Sequence, residues 1–273
     1  MIPNYLITAW RKQVNWPEDF QVEQDLIISR ALINLYEREK IYTSLAFRGG
    51  TALNKLYLKP AARYSEDIDL VQITAEPIGE TINEIRLALD SWLGEPTRKL
   101  TERSVKLLYK YTAIDGTIKR LKIEINTTEH THFLDFTDHV FSIQNDWFAG
   151  QAKIRAYQLN ECMGTKLRAL YQRRKGRDLF DLWIVLKENL IDCGVVLDVF
   201  KKHGDYTQQP ITRALFEKNM AEKIHHPDFH QDIIKLLPLN TKWLLDDAVA
   251  LVQQKLIQAL PGEPWKNPAR EKK

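Results

Sequence analysis

Two short stretches carry residue types that can do chemistry together: Arg48-Gly49-Gly50-Thr51, and Arg63-Tyr64-Ser65-Glu66-Asp67-Ile68-Asp69. A glycine pair between a strand and a helix lets the backbone come close to a ligand, and the free amides at the helix start form an anion site suited to a triphosphate tail. Aspartates one residue apart on a strand leave from the same face, about 7 Å apart along the backbone. Their carboxylates can then converge on hard, oxygen-seeking cations such as Mg²⁺, two of which commonly clamp a phosphoryl transfer. Taken singly, the glycines also suit any tight turn and the aspartates any solvated strand edge. In the order strand, turn, helix, strand, they make one nucleotide and metal site.

The surrounding pattern supplies that order. Val22, Leu26, Ser29, Leu32 and Tyr36 recur at helical spacing within residues 20–39, with Glu23, Arg30 and Glu37 off the stripe, which predicts an amphipathic helix. Leu45-Ala46-Phe47 is a short apolar strand leading into the glycines, and residues 51–58 have helix-like spacing. Residues 67–73 alternate as a strand, with Ile68 and Leu70 opposite Asp67 and Asp69. Ile78, Ile82, Ile85 and Leu89 stripe a second helix over residues 77–93, which Gly94 stops. Asp115-Gly116 is a hairpin turn between the strand-like residues 105–113 and 118–126. In the second arm Leu121, Ile123 and Ile125 alternate with Lys122, Glu124 and Asn126, so Glu124 offers a third carboxylate on a polar strand face.

Beyond this half, Asn160 is the expected cap of a helix containing Met163, Leu167 and Leu170, and Gly176 precedes another helix over residues 177–188. The rest reads as helical. Leu244, Ala248, Leu251 and Val252 stripe a helix over residues 241–260 that Pro261-Gly262 terminates. The expected organisation is an α+β core over residues 1–159, a helical domain over 160–260 that carries further site residues, and a mobile basic tail over 261–273.

With 273 residues, 44% hydrophobic and 27% charged, the composition excludes disordered and fibrous classes. Cys162 and Cys193 form no CxxC pair, which argues against a disulfide framework and for a reducing compartment. No apolar run approaches the roughly 20 residues of a membrane span, and the N-terminus lacks signal-peptide order, so the expectation is a cytoplasmic protein without membrane association. A net charge of +3 does not announce a nucleic-acid binder; clustering decides. Residues 161–177 supply it: Lys166, Arg168, Arg173, Arg174, Lys175 and Arg177 stand against Glu161 alone. Such a segment can guide an RNA backbone, and it can equally be a solvated helix end favoured by the helix dipole. His130, His132, His225, His226 and His230 match no zinc spacing and are expected at surface or packing positions. Trp10, Trp92, Trp147, Trp183 and Trp243 are expected in the core.

The segments Phe47 to Tyr57, Arg63 to Leu70 and Glu161 to Leu182 resemble the nucleotidyltransferases of the AbiEii and MenT toxin type, in the polymerase-β-like superfamily. The resemblance spans roughly residues 20–190 and implies a mixed sheet flanked by helices, followed by a helical C-terminal half. It implies that Gly49, Gly50 and Thr51 hold the nucleotide phosphates, with Arg48, Arg63 and Ser65 beside them, while Asp67 and Asp69 bind two Mg²⁺ ions. Glu124 matches the superfamily's third carboxylate, where many members carry aspartate. Lys166 matches a family position that would meet the triphosphate, and Asp178 one that would orient Lys166 or a neighbouring arginine. From the residues alone, Lys166 also reads as an exposed helix lysine and Asp178 as an acid favoured at a helix start. The implied activity is transfer of a nucleotide from a nucleoside triphosphate to RNA, such as a tRNA 3′ end, by a toxin of a toxin–antitoxin or phage-defence pair with a cognate antitoxin protein. A small-molecule or protein hydroxyl as acceptor, and a binding module without turnover, stay open beside it.

Overall fold

In this computed structural model, residues 2–14, 16–208 and 210–266 are described. The chain divides into two compact units, one of Met1–Gln158 with Leu237–Leu239, the other of Leu159–Leu236 with Asn240–Lys273.

In the first unit, α1 (Asn4–Val14), α2 (Asp19–Tyr36) and α3 (Glu39–Ser44) precede β1 (Leu45–Arg48). A short helix, α4 (Gly49–Ala52), continues into a π-helical turn over Leu53–Tyr57. There follow β2 (Asp67–Gln72), α5 (Gly79–Leu93), β3 (Thr97–Leu100), β4 (Ser104–Thr112), β5 (Ile118–Asn126), β6 (Phe136–Gln144) and β7 (Ala149–Tyr157). The seven strands form one mixed sheet in the order β3-β4-β5-β2-β1-β7-β6. β2 runs parallel to β5 and β1 parallel to β7, whereas the other neighbours are antiparallel. Two pairings set the site, the antiparallel one with β1 and the parallel one with β5, because they put β2 in the middle of the sheet between those strands.

Alternation decides which side of that sheet is core. Ile68 and Leu70 on β2, Val105, Leu107 and Tyr109 on β4, and Leu121, Ile123 and Ile125 on β5 are all buried. The intervening residues form the other, more open face. Gly116 takes φ +77° in the β4–β5 turn, the left-handed conformation that the Asp-Gly pair serves.

The expected amphipathic α2 is instead buried on nearly every side: Gln21, Glu23, Gln24 and Asp25 are as covered as Val22 and Leu26. These polar groups are satisfied internally. Glu23 accepts the Ile114 amide at 2.7 Å, Gln24 donates to the Glu66 carbonyl at 2.9 Å, and Asp25 accepts from Lys55 Nζ at 2.7 Å.

The second unit is helical throughout: α6 (Leu159–Gln172), α7 (Gly176–Lys187), α8 (Cys193–Tyr206), α9 (Arg213–Lys223), α10 (Pro227–Ile234) and α11 (Leu245–Lys255). α6 begins one residue before Asn160, so Asn160 is not its cap; its side chain accepts the Asp192 amide at 3.1 Å instead. α11 starts later than its stripe suggested, and Leu244, at its N-cap, is exposed. The chain after α11 is tied back, with the Arg213 amide donating to the Pro261 carbonyl and the Trp265 amide to Glu217. The remainder of the expected tail, residues 267–273, lies outside the described residues.

Candidate active site

The glycine turn is shaped by two different demands. Gly49 has φ +83°, which side-chain-bearing residues rarely adopt, and a Cβ there would lie 2.5 Å from Asp69 Oδ2. Its hydrogen therefore admits the Asp69 carboxylate against the backbone. At Gly50 a Cβ would strike the Arg63 guanidinium. Arg63 is 2% exposed, and its Nη1 donates to the Tyr64 carbonyl at 2.9 Å. It lies packed beneath the turn, as a positioning residue. Thr51 reaches Ser65 Oγ at 2.8 Å and the Asp67 carbonyl, which ties the turn to the start of β2. Asn54, to which the sequence reading gave no role, fastens the other side: it donates to the Gly50 carbonyl at 2.9 Å and accepts the Ala62 and Arg63 amides. Its one signal was an amide among the apolar positions of a short helix. Arg48, at the end of β1, pairs with Glu129 at 3.6 Å and faces the Tyr157 ring.

Asp67 and Asp69 leave the same face of β2, and the register sets Asp69 beside Arg48 of β1 and Glu124 of β5. The Asp69 carboxylate has no hydrogen-bond or ion-pair partner among the described residues. Asp67 does have one: Lys122 Nζ lies 2.9 Å from its Oδ2 and 3.1 Å from Glu124 Oε2. Burial pushes the Asp67 carboxyl up to about 6 against the pull of Lys122, and the nearby Asp69 charge adds to the rise. Lys122 is opposed by burial, yet its two carboxylates hold it above the ordinary lysine range. Burial acts against the Glu124 charge as well, but Lys106 and Lys122 outweigh it and keep its carboxyl low. Ser104 Oγ and Lys106 Nζ both reach Glu124 Oε1, at 3.1 and 3.0 Å.

These positions bear on the expected metal centre. Among the described residues no three His, Cys, Asp or Glu side chains are grouped to hold an ion, and Lys122 stands between Asp67 and Glu124. The donor chemistry of Asp67 and Asp69 fits a hard divalent cation: oxygen ligands only, on one strand face, with one carboxylate unpartnered. Glu124 sits at the expected register but is committed to two lysines and a serine.

The second unit holds the other expected site residues. Lys166 is buried, with Nζ 3.3 Å from Asp178 and 3.0 Å from Asp181, so it is not an exposed helix lysine. Asp178 also accepts two bonds from Arg173, at 2.6 and 2.8 Å. Burial alone would raise the Asp178 carboxyl, but Lys166 and Arg173 hold it down at about 2. Lys175 and Arg177 pair with Asp232, which lowers the net charge of the basic segment. Arg174 is exposed and Arg168 half-buried. Both cysteines are free. Trp183 and Trp243 pack edge to face, 5.2 Å apart.

Among curated proteins no sequence is significantly similar. Solved structures share the fold. The nucleotidyltransferase toxin MenT4 from Mycobacterium tuberculosis is 19% identical with a TM-score of 0.69, over 96% of this chain and 91% of its own. A putative nucleotidyltransferase from Helicobacter pylori is 17% identical, with a TM-score of 0.52 over 86% of this chain and 92% of its own. A further solved structure, JHP933 from H. pylori, is 18% identical with a TM-score of 0.51, over 86% of this chain and 89% of its own. No helix among the described residues is long and apolar enough to cross a membrane. Residues 31–251 match the model of the AbiEii nucleotidyl transferase toxins of type IV toxin–antitoxin systems, and with the glycine turn, Asp67 and Asp69 inside that match, the chain belongs to this family.

Proposed function

We propose that this protein is a Mg²⁺-dependent toxin that moves a nucleotide from a nucleoside triphosphate onto an RNA hydroxyl, a tRNA 3′ end being the acceptor, with release of pyrophosphate. It acts in the cytoplasm and is countered by a cognate antitoxin protein. The observation that carries this reading is the unpartnered Asp69 carboxylate, admitted against the Gly49 backbone on the same strand face as Asp67. A charge left unsatisfied in a half-buried position is costly unless a ligand completes it.

In this reading the backbone at Gly49-Gly50-Thr51 receives the phosphates, the two glycines adding no side chain of their own to the turn. Asn54 and Arg63 keep that turn in shape from below. Asp67 and Asp69 would hold Mg²⁺, which when bound neutralises phosphate charge and favours in-line displacement. Lys122 holds Asp67 and Glu124 side by side before any ligand arrives. The chain's own contribution is thus positioning and electrostatics.

RNA as acceptor is supported by the exposed Arg173, Arg174 and Lys175. A small-molecule or protein hydroxyl is a second reading, favoured by the pairing of Lys175 and Arg177 with Asp232 and of Arg173 with Asp178. Incubation with total RNA, each labelled triphosphate and Mg²⁺, for the native protein and Asp69→Ala, separates them. Label on RNA that is lost in the folded variant supports the proposal, and growth arrest on expression should be relieved by the same change. Label on protein or on a small molecule supports the second reading, and no transfer to any acceptor would sink both.

A further inference from the structure

The sheet face that carries Asp67 and Asp69 continues into a band of basic side chains outside the 161–177 segment. Across the strands the register aligns Arg48, Asp69, Glu124, Lys106 and Lys99 in one row, and Asp67, Lys122 and Leu108 in the next. Lys110 and Arg120 are paired one step further along the same face. β3, β4 and β5 together hold seven basic residues and one acid, Glu124. Lys106 and Lys122 are occupied by Glu124 and Asp67. Lys99, Lys110 and Arg120 are exposed and have no ion-pair partner among the described residues.

A lysine on an edge strand has an ordinary use, since it deters edge-to-edge pairing, and that would account for Arg98 and Lys99 on β3. Lys110 and Arg120 stand opposite each other where the β4–β5 hairpin runs past the ends of β3 and β2, and two like charges facing each other across a strand pair are destabilising unless something neutralises them. With strands about 4.8 Å apart, the row from Asp69 to Lys99 runs roughly 14 Å, the length of a few nucleotides. Exposed cations without ion-pair partners among the described residues, one at the end of this row and two further along the same face, complement a phosphodiester chain.

We propose that the open face of β3, β4 and β5 is the track on which the acceptor RNA lies, with Lys99, Lys110 and Arg120 contacting its phosphates and directing its end toward Asp67 and Asp69. This rests on RNA being the acceptor. It assigns the binding to residues remote in sequence from the basic segment that first suggested RNA.

The test uses the full-length protein, a fluorescent single-stranded RNA oligonucleotide and the triple variant Lys99→Gln, Lys110→Gln, Arg120→Gln, which keeps most of each side-chain stem. RNA affinity should fall about tenfold or more near physiological salt, and the slope of log affinity against log salt should shrink by about 2, at roughly 0.7 per lost contact. Triphosphate binding and melting temperature should be unchanged, which shows that the variant is folded and its nucleotide site intact. If native protein labels RNA but the triple variant keeps full affinity and slope, the track is overturned and the RNA-acceptor reading stands. If native protein neither binds nor labels RNA, that reading fails and the track falls with it. Displacement of RNA by polyglutamate at matched charge would mark the face as an acidic-peptide surface and would also overturn the proposal.

Discussion

Two clusters of charge, one in each unit, are built on opposite principles. Around Lys166 every charge has a partner: Asp178 is fully buried between Lys166 and Arg173, and Asp181 completes the set. Around Asp67 and Asp69 the account is left open, with one carboxylate unpartnered and the other pushed up to about 6. A closed network of buried ions holds a fold in register, and breaking it is costly. An open one holds charge ready for something the chain does not itself supply. The sequence resemblance gave both clusters site roles; the structure shows that they differ in whether their charges are paired.

The sharpest way to break this comparison is to remove one carboxylate from each cluster. Asp69→Asn should cut nucleotide transfer by about a thousandfold or more, as losing a key electrostatic group does, with little loss of stability because no partner is orphaned. Asp178→Asn should do the reverse in denaturant titrations, costing roughly 3–5 kcal/mol because Lys166 loses a buried counter-charge. Equal stability losses in the two variants would show that the distinction between open and closed clusters is false.

How far each cluster was legible in the sequence follows from how local its signals are. The Asp67-Ile68-Asp69 alternation, the glycine pair and the Asp115-Gly116 turn are contained within a few residues, and each appears where its pattern put it. β6, the edge strand, went unread because only Ile143 on it is buried and no apolar alternation shows, whereas β7 does alternate, with Ala152, Ile154 and Ala156 buried, and was simply passed over. β3, with four exposed residues, offers none at all. Glu23 was placed on a polar face by its type, whereas its burial depends on a partner 91 residues away; Lys166 was read as meeting the triphosphate or as an exposed helix lysine, and its buried pairing with Asp178 and Asp181 is set by the packing of two helices. The 161–177 segment seemed more basic than it is because Asp232, which pairs with two of its cations, lies on another helix. The basic band on β3 to β5 escaped notice for the converse reason. Its charges lie in plain sequence between residues 98 and 122, but only cross-strand register brings them to one face.

The glycines sharpen the same contrast with a smaller effect. Gly49 and Gly94 share a positive φ, +83° and +75°, but a Cβ at Gly94 meets nothing within 4 Å while one at Gly49 meets the Asp69 carboxylate. Both Gly→Ala variants should therefore lose roughly 1–2 kcal/mol from backbone strain. Only Gly49→Ala should also lose transfer activity, by roughly tenfold to a hundredfold, since displacing a catalytic group by an ångström is enough for that. Thermal melts and initial rates on the pair separate strain from site geometry. If Gly94→Ala lost activity to the same degree, the loss would belong to the fold rather than to the turn.

A last test is in acid, where the closed cluster should betray itself. The Asp178 carboxyl is held down from 3.8 to about 2, chiefly by Lys166 and Arg173 working against burial. A depressed acid stabilises the folded state fully above its unfolded value and loses that contribution as pH falls through its folded value. The stability difference between native protein and Asp178→Asn should therefore be constant above about pH 5 and shrink by about 2 kcal/mol as the pH drops toward 2. Taking the difference cancels the other carboxylates, which titrate alike in both proteins. A difference that stayed flat across that window would mean that Asp178 is not held charged by its neighbours, and the closed network around Lys166 would lose its electrostatic basis.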